Sequence, residues 1–155
     1  MSLQDYKKKY DSLDIKCNLK GEEALKAVNQ NGYALQFVKE QTEEICLAAV
    51  RQHGDSLTYV NNQTNEICLE AVKEYGFALM CVKEQTSEIC LEAVKRDGYA
   101  LKYVNNQTDD ICLEAVKQNG NALQYVNKQT EELCLEAVKQ SGHALMYVNS
   151  NMFKD

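Results

Sequence analysis

Three sets of residues in this sequence have side chains that could catalyse a reaction or bind a metal: a histidine–aspartate pair, a set of cysteines and a series of evenly spaced glutamates. His53 and Asp55 flank a glycine and resemble a general base with the carboxylate that orients it. No recognisable motif places a serine or cysteine nucleophile beside them. We therefore interpret them as a surface pair, and an enzyme or metal-dependent hydrolase with an unrecognised site remains an alternative.

The cysteines are spaced for packing. Five of the 7 recur every 22 residues, each directly after Ile or Leu: Cys46, Cys68, Cys90, Cys112 and Cys134. No CxxC motif or zinc-type Cys/His cluster accompanies them. Equivalent atoms of adjacent helical repeats lie about 8 to 10 Å apart, which is beyond disulfide reach. We expect reduced, buried thiols that pack as small hydrophobes, no metal or cofactor, and a cytoplasmic, intracellular location.

The glutamates follow the same interval. Each has a lysine three residues further on, and the set is Glu70, Glu92, Glu114 and Glu136. On a helix this spacing brings opposite charges together, so we expect ion pairs rather than acid–base catalysis. The sequence thus predicts that the protein is not an enzyme.

All three sets belong to one internal repeat, which is clearest between Ile111 and Glu132. Glycines recur 22 residues apart at positions 32, 54, 76, 98, 120 and 142. We predict six repeats over residues 23–148, an irregular N-terminal cap at residues 1–22, and a C-terminal tail or cap at residues 149–155. Arrays of this kind bury their core by stacking one unit on the next.

Each repeat reads as two short helices. A threonine such as Thr130, followed by acidic residues, is typical of an N-cap. The glycine, about ten residues later, is predicted to end the first helix in a left-handed conformation. A second helix, residues 121 to about 127, would bury Ala122, Leu123 and Val126. The glutamine before each threonine is expected to tie a turn to the neighbouring repeat. The predicted fold is all-α, an α-solenoid of tandem helical hairpins.

Solenoids bind partners through variable residues on a constant frame. The residues on either side of each glycine, and one position on the second helix, differ among the repeats. The candidate partner-binding residues are Tyr33, His53, Asp55, Tyr75, Phe77, Met80, Tyr99 and Lys102. Those in the middle of the array would form an aromatic anchor of the kind enriched in binding hot spots. The alternative is that the residues at these surface positions vary because no selection acts on them.

Charge and hydropathy narrow the class of partner. The net charge of −6 argues against binding to nucleic acid, and no apolar run is long enough to cross a bilayer. After Val148 the repeat pattern fails. Either Met152 and Phe153 fold back as a cap, or the last repeat leaves an apolar face open, which would favour weak self-association through the terminal repeats.

The sequence motif AVxxxGxALxYV, followed by QT, runs from Ala115 and Val116 past Gly120 to Gln129 and Thr130. It resembles a family of short tandem helical repeats known only as a domain of unknown function, found in some large DNA viruses and bacteria. The resemblance covers residues 23–148, with Ser56 replacing an alanine and Cys81 replacing an aromatic residue. It implies a helical array and transfers no catalytic residue. We expect a non-catalytic scaffold that binds an unknown protein; a self-associating structural protein is the second alternative.

Overall fold

The computed structural model describes residues 19–153, in which ten-residue α-helices alternate with six-residue 3-10 helices. The α-helices are α1 Gly21–Gln30, α2 Glu43–Gln52, α3 Asn65–Glu74, α4 Ser87–Arg96, α5 Asp109–Gln118 and α6 Glu131–Gln140. The 3-10 helices are η1 Gly32–Phe37, η2 Gly54–Tyr59, η3 Gly76–Cys81, η4 Gly98–Tyr103, η5 Gly120–Tyr125 and η6 Gly142–Tyr147, followed by a short η7, Ser150–Phe153. We number the repeats 1 to 6 by these α/3-10 pairs. Most of the predicted N-terminal cap, residues 1–18, lies outside the described residues.

The predicted threonine caps are confirmed. The Thr108 hydroxyl accepts a hydrogen bond from the Ile111 amide at 3.4 Å, and the same bond recurs from repeat 2 to repeat 6. Asp109 and Asp110 occupy the first turn of α5, where negative charge offsets the exposed amides. The helix begins where the sequence places its cap.

The second helix of each repeat is a 3-10 helix rather than a longer α-helix. In a 3-10 helix side chains three residues apart lie on one line. Gly120 and Leu123 follow that spacing, Val126 continues it as the C-cap residue, and all three are buried. Six residues are also too few for a stable α-helix. The GxxLxxV spacing is thus the sequence signal for this element.

The role predicted for the glycines is wrong. The first helices end on an extended residue such as Asn119, with φ −150° and ψ 109°, and Gly21 is the only residue of positive φ in the described chain. A Cβ on Gly98 or Gly120 would instead lie closer than 3.0 Å to the carbonyl oxygen of an alanine in the next repeat. Glycine is therefore required by close backbone approach between repeats, and not by a left-handed conformation.

Stacking produces a continuous core. Ile111, Cys112, Ala115 and Val116 of α5 are all buried, as the helical pattern predicts, and equivalent residues continue through the neighbouring repeats. Each α-helix packs against the α-helices before and after it, and each of η1 to η6 does the same with its 3-10 neighbours. An α-solenoid of hairpin repeats is thus confirmed.

Glutamines join successive repeats, as predicted. Gln107 donates to the Tyr125 carbonyl at 2.8 Å and accepts from the Asn127 amide at 2.9 Å. Gln41, Gln85 and Gln129 make the same two bonds to the following repeat, and so does Gln63, to Cys81 and Lys83. One side chain thereby satisfies two backbone groups that the turn leaves without helical partners.

Residues 149–153, the last that the structure describes, do not cap the array. Met152 and Phe153 are exposed within η7. Leu145 of the last repeat is 55% exposed, whereas its equivalent Leu123 is 0% exposed. Of the two alternatives from the sequence, an open apolar face is the one observed.

Candidate functional site

The variable residues lie on the edge formed by the 3-10 helices and the residues that precede them. Because η1 to η6 lie side by side, equivalent positions of neighbouring repeats come next to each other along this edge. The candidate residues separate into two groups and a single residue. Tyr33, His53 and Asp55 form the first group, Tyr75, Phe77, Met80 and Lys102 belong to the second, and Tyr99 makes its ring contact with a residue outside both groups.

In the first group, Tyr33 contacts both of the other side chains. The Tyr33 hydroxyl donates to the Asp55 carboxylate, at 2.9 and 2.8 Å from its two oxygens, and the Tyr33 ring stacks on the His53 ring at 4.5 Å between centroids. The bond to Asp55 raises the pKa of the Tyr33 hydroxyl. No hydrogen bond joins His53 to Asp55 in residues 19–153, so these two do not form the base–carboxylate pair that the sequence allows.

The second group is an aromatic patch in repeats 3 and 4. The Tyr75 and Phe77 rings are 5.6 Å apart, and Phe77 meets the edge of Tyr103 at 5.8 Å. The Lys102 ammonium lies 5.6 Å from the centre of the Tyr103 ring. Met80 is 61% exposed and Tyr75 is 46% exposed. We call Tyr75, Phe77, Met80, Lys102 and Tyr103 the central patch.

Tyr99, the equivalent of Phe77 in the next repeat, makes its ring contact outside the central patch. Its ring packs edge-on against Tyr125 of the next repeat at 5.9 Å. Tyr103, by contrast, belongs to the patch although its recurrence among the repeats is typical of the constant frame. Its position recurs as Tyr59, Tyr125 and Tyr147, all half-buried, so each presents one part of its ring to the edge.

The position before the glycine turns out to have a structural role in some repeats. The side chains of Asn31, Asp97 and Asn119 cap their 3-10 helices by accepting from the amide two residues on, at 2.9 to 3.0 Å. His53 and Tyr75 make no such cap. An N-cap stabilises a helix by about 1 kcal/mol. Repeat 3 therefore presents a tyrosine, nearly half exposed, where Asn or Asp would stabilise the fold.

The other chemistry-bearing residues have structural surroundings. The six cysteines of the described chain are free, and burial raises the pKa of the thiols of Cys46, Cys68, Cys90, Cys112 and Cys134. Glu92 pairs with Lys95 at 3.0 Å, and the other glutamates pair with their lysines in the same way. Within residues 19–153 no cluster of His, Cys, Asp or Glu has the arrangement of a metal site.

These features define an all-α tandem-repeat protein with an aromatic patch on one edge. The chain belongs to the family described as a domain of unknown function, DUF4116, which it matches over residues 22–65, 42–87, 65–108, 86–130 and 108–154. Each stretch spans about two repeats and overlaps the next. No curated protein and no solved structure matches the chain. Among residues 19–153 no helix has the length and apolar character needed to cross a membrane.

Proposed function

We propose that the chain is a non-catalytic scaffold that binds another protein through the central patch. The observation that carries this proposal is Tyr75. It occupies a capping position, leaves the cap unmade, and keeps 46% of its surface exposed. A residue that leaves a cap unmade and keeps nearly half of its surface exposed is expected where function, and not stability, selects the side chain.

The chemistry of the patch supports a protein partner. Tyrosine is enriched at the energetic centres of protein interfaces because it supplies a large apolar area with few rotatable bonds. Met80 adds a flexible, polarisable surface that adapts to a partner's shape. Lys102 supplies a cation at the rim, close to the Tyr103 ring. A partner with an apolar side chain flanked by a carboxylate fits this arrangement.

The repeats themselves provide the test. Repeat 5 has Asn119, Asn121 and Gln124 at the positions of Tyr75, Phe77 and Met80. The triple variant Tyr75→Asn, Phe77→Asn, Met80→Gln therefore gives repeat 3 a set of residues that this fold already accepts. Wild type and variant, immobilised under reducing conditions, are used to capture proteins from a lysate of the source cell. We expect a partner that the wild type retains and the variant loses, while the variant's melting temperature is unchanged or higher.

A matched control changes the same positions of repeat 6: Ser141→Asn, His143→Asn and Met146→Gln. It also removes an exposed methionine, 73% exposed in this case, but leaves the central patch intact. This control should retain the partner. Equal capture by both triple variants would contradict the proposal, and unfolding of the repeat 3 variant would show that its aromatic residues belong to the core.

A further inference from the structure

The end of the array shows the surface that each repeat presents to the next. Leu145 is 55% exposed and Leu135 is 54% exposed, although the leucines equivalent to Leu145 in the preceding repeats are fully buried. The residues described beyond this repeat, η7, leave both exposed. We define the end face as Leu135, Gly142 and Leu145.

Gly142 indicates that the end face fits another repeat of the same kind. At five preceding repeats, a Cβ on the equivalent glycine would lie closer than 3.0 Å to an alanine carbonyl of the next repeat. At Gly142 a Cβ would meet nothing within 4 Å among the described residues. Nothing within the described repeat therefore requires a glycine there. A second α/3-10 repeat, stacked as the others are, would require it.

The first repeat keeps the complementary residues. Ala27 and Ala34 are half-buried, whereas the equivalent Ala49 and Ala78 are 0% exposed because a preceding repeat covers them; within residues 19–153 no repeat precedes the first. Gln30 stands at the position of Gln118 and Gln140, whose side chains accept from the amides of Gly98 and Gly120 in the preceding repeat, at 2.7 and 2.9 Å. Gln30 is thus the counterpart for the Gly142 amide.

We propose that the end face binds the first repeat of a second copy of this chain, head to tail, in the geometry of the internal junctions. The Ala27 carbonyl of one copy approaches Gly142 of the other, and Gln30 accepts from the Gly142 amide. Such a heterologous contact does not close on itself and therefore extends into chains of copies. The end face and the central patch do not share residues, so this proposal is independent of the scaffold function.

Charges across the junction largely cancel. Thr64 contacts Glu43 across an internal junction, and the equivalent pair between two copies is Lys20 with Glu131. Glu70 contacts Arg51 in the same way, and the equivalent pair is Lys26 with Lys139. The first pair attracts and the second repels. Apolar contact and backbone fit therefore drive the association, which should depend only weakly on salt.

Sedimentation of the full chain over a wide range of concentration tests the proposal. Wild type should grow in mass with concentration. Gly142→Ala places a methyl group against the Ala27 carbonyl of the incoming copy and should weaken association at least about tenfold, as overpacking does in a tight interior. Its melting temperature should match that of wild type, whereas Gly120→Ala, its counterpart inside the array, should lower it. Gln30→Ala, on the exposed opposite face, should also weaken association.

A mixing experiment tests the head-to-tail direction. Ala34→Arg blocks the first repeat and leaves the end face open, while Gly142→Ala does the reverse. At a concentration where the wild type associates but each variant alone is monomeric, an equal mixture should form a dimer of fixed mass. A wild type that stays monomeric at all concentrations would overturn the proposal. So would Gly142→Ala that assembles like the wild type, or Ala34→Arg that still dimerises alone, since that would mean end face against end face.

Discussion

Replacing Ser56 with alanine should stabilise the protein. Ser56 is 0% exposed, and its hydroxyl has no hydrogen-bond partner among the described residues. Every other repeat has alanine at this position: Ala34, Ala78, Ala100, Ala122 and Ala144. A buried donor without a partner costs about 1 to 3 kcal/mol, and the methyl side chain that remains fills nearly the same space. We expect Ser56→Ala to raise the free energy of unfolding by about 1 to 2 kcal/mol, or the melting temperature by roughly 2 to 8 °C.

The assay combines urea unfolding with native-state hydrogen exchange. The Ser56 hydroxyl lies against repeat 1, 3.0 Å from where a Cβ on Gly32 would stand, so the slowing of exchange should be greatest in repeats 1 and 2. The reverse substitution, Ala100→Ser, buries a hydroxyl at the same position of repeat 4 and should lower stability by a similar amount. If Ser56→Ala lowers stability, or Ala100→Ser has no effect, the hydroxyl has a partner such as an ordered water and the reasoning is wrong.

Two further predictions concern the junctions and the thiols. Gln107→Ala removes both bonds to the turn of repeat 5 and should lower the free energy of unfolding by about 2 to 3 kcal/mol; the exposed Gln124→Ala, measured in the same urea titrations, should change it by less than about 0.5 kcal/mol. An equal loss of unfolding free energy in both variants would show that the junction bonds stabilise the fold no more than an exposed glutamine does. The buried cysteines should make stability fall at alkaline pH, because burial raises their pKa and the unfolded chain therefore loses thiol protons first as the pH rises. This contribution is constant below the ordinary thiol pKa. Above that pKa, urea midpoints measured under reducing conditions should decline as the pH rises, and they should decline less steeply in Cys112→Ala. An identical dependence on pH in that variant would exclude the thiols as the cause.

Several elements were predictable because their signals are local. The threonine caps and the acidic first turns follow from residues adjacent in sequence, and the buried face of α5 follows from helical spacing. The glutamine links were also predictable, since a polar side chain that recurs in every repeat beside a turn needs a recurring partner. A period of 22 residues sets the stacking, because one repeat is too small to bury its apolar side chains alone.

The site was harder to predict because it depends on neighbours in adjacent repeats. Tyr99 was grouped with the aromatic anchor as the aromatic residue of the next repeat, and its ring contact is with Tyr125, one repeat further on. Tyr103 was missed because it recurs among the constant positions, although its packing against Phe77 brings it into the central patch. Asp55 was paired with His53, two residues away, whereas its carboxylate accepts from Tyr33, 22 residues away.

The sequence by itself determined the repeat, its length, the order of its helices and the residues of its core, since these depend on periodicity and on capping within about ten residues. Only the tertiary structure decided why the glycines are needed and which face stays open. Both depend on distances between backbones of different repeats, such as Gly120 and the Ala137 carbonyl. A one-dimensional pattern repeats equally at Gly120 and Gly142, and only stacking in three dimensions makes one an internal contact and the other an open surface.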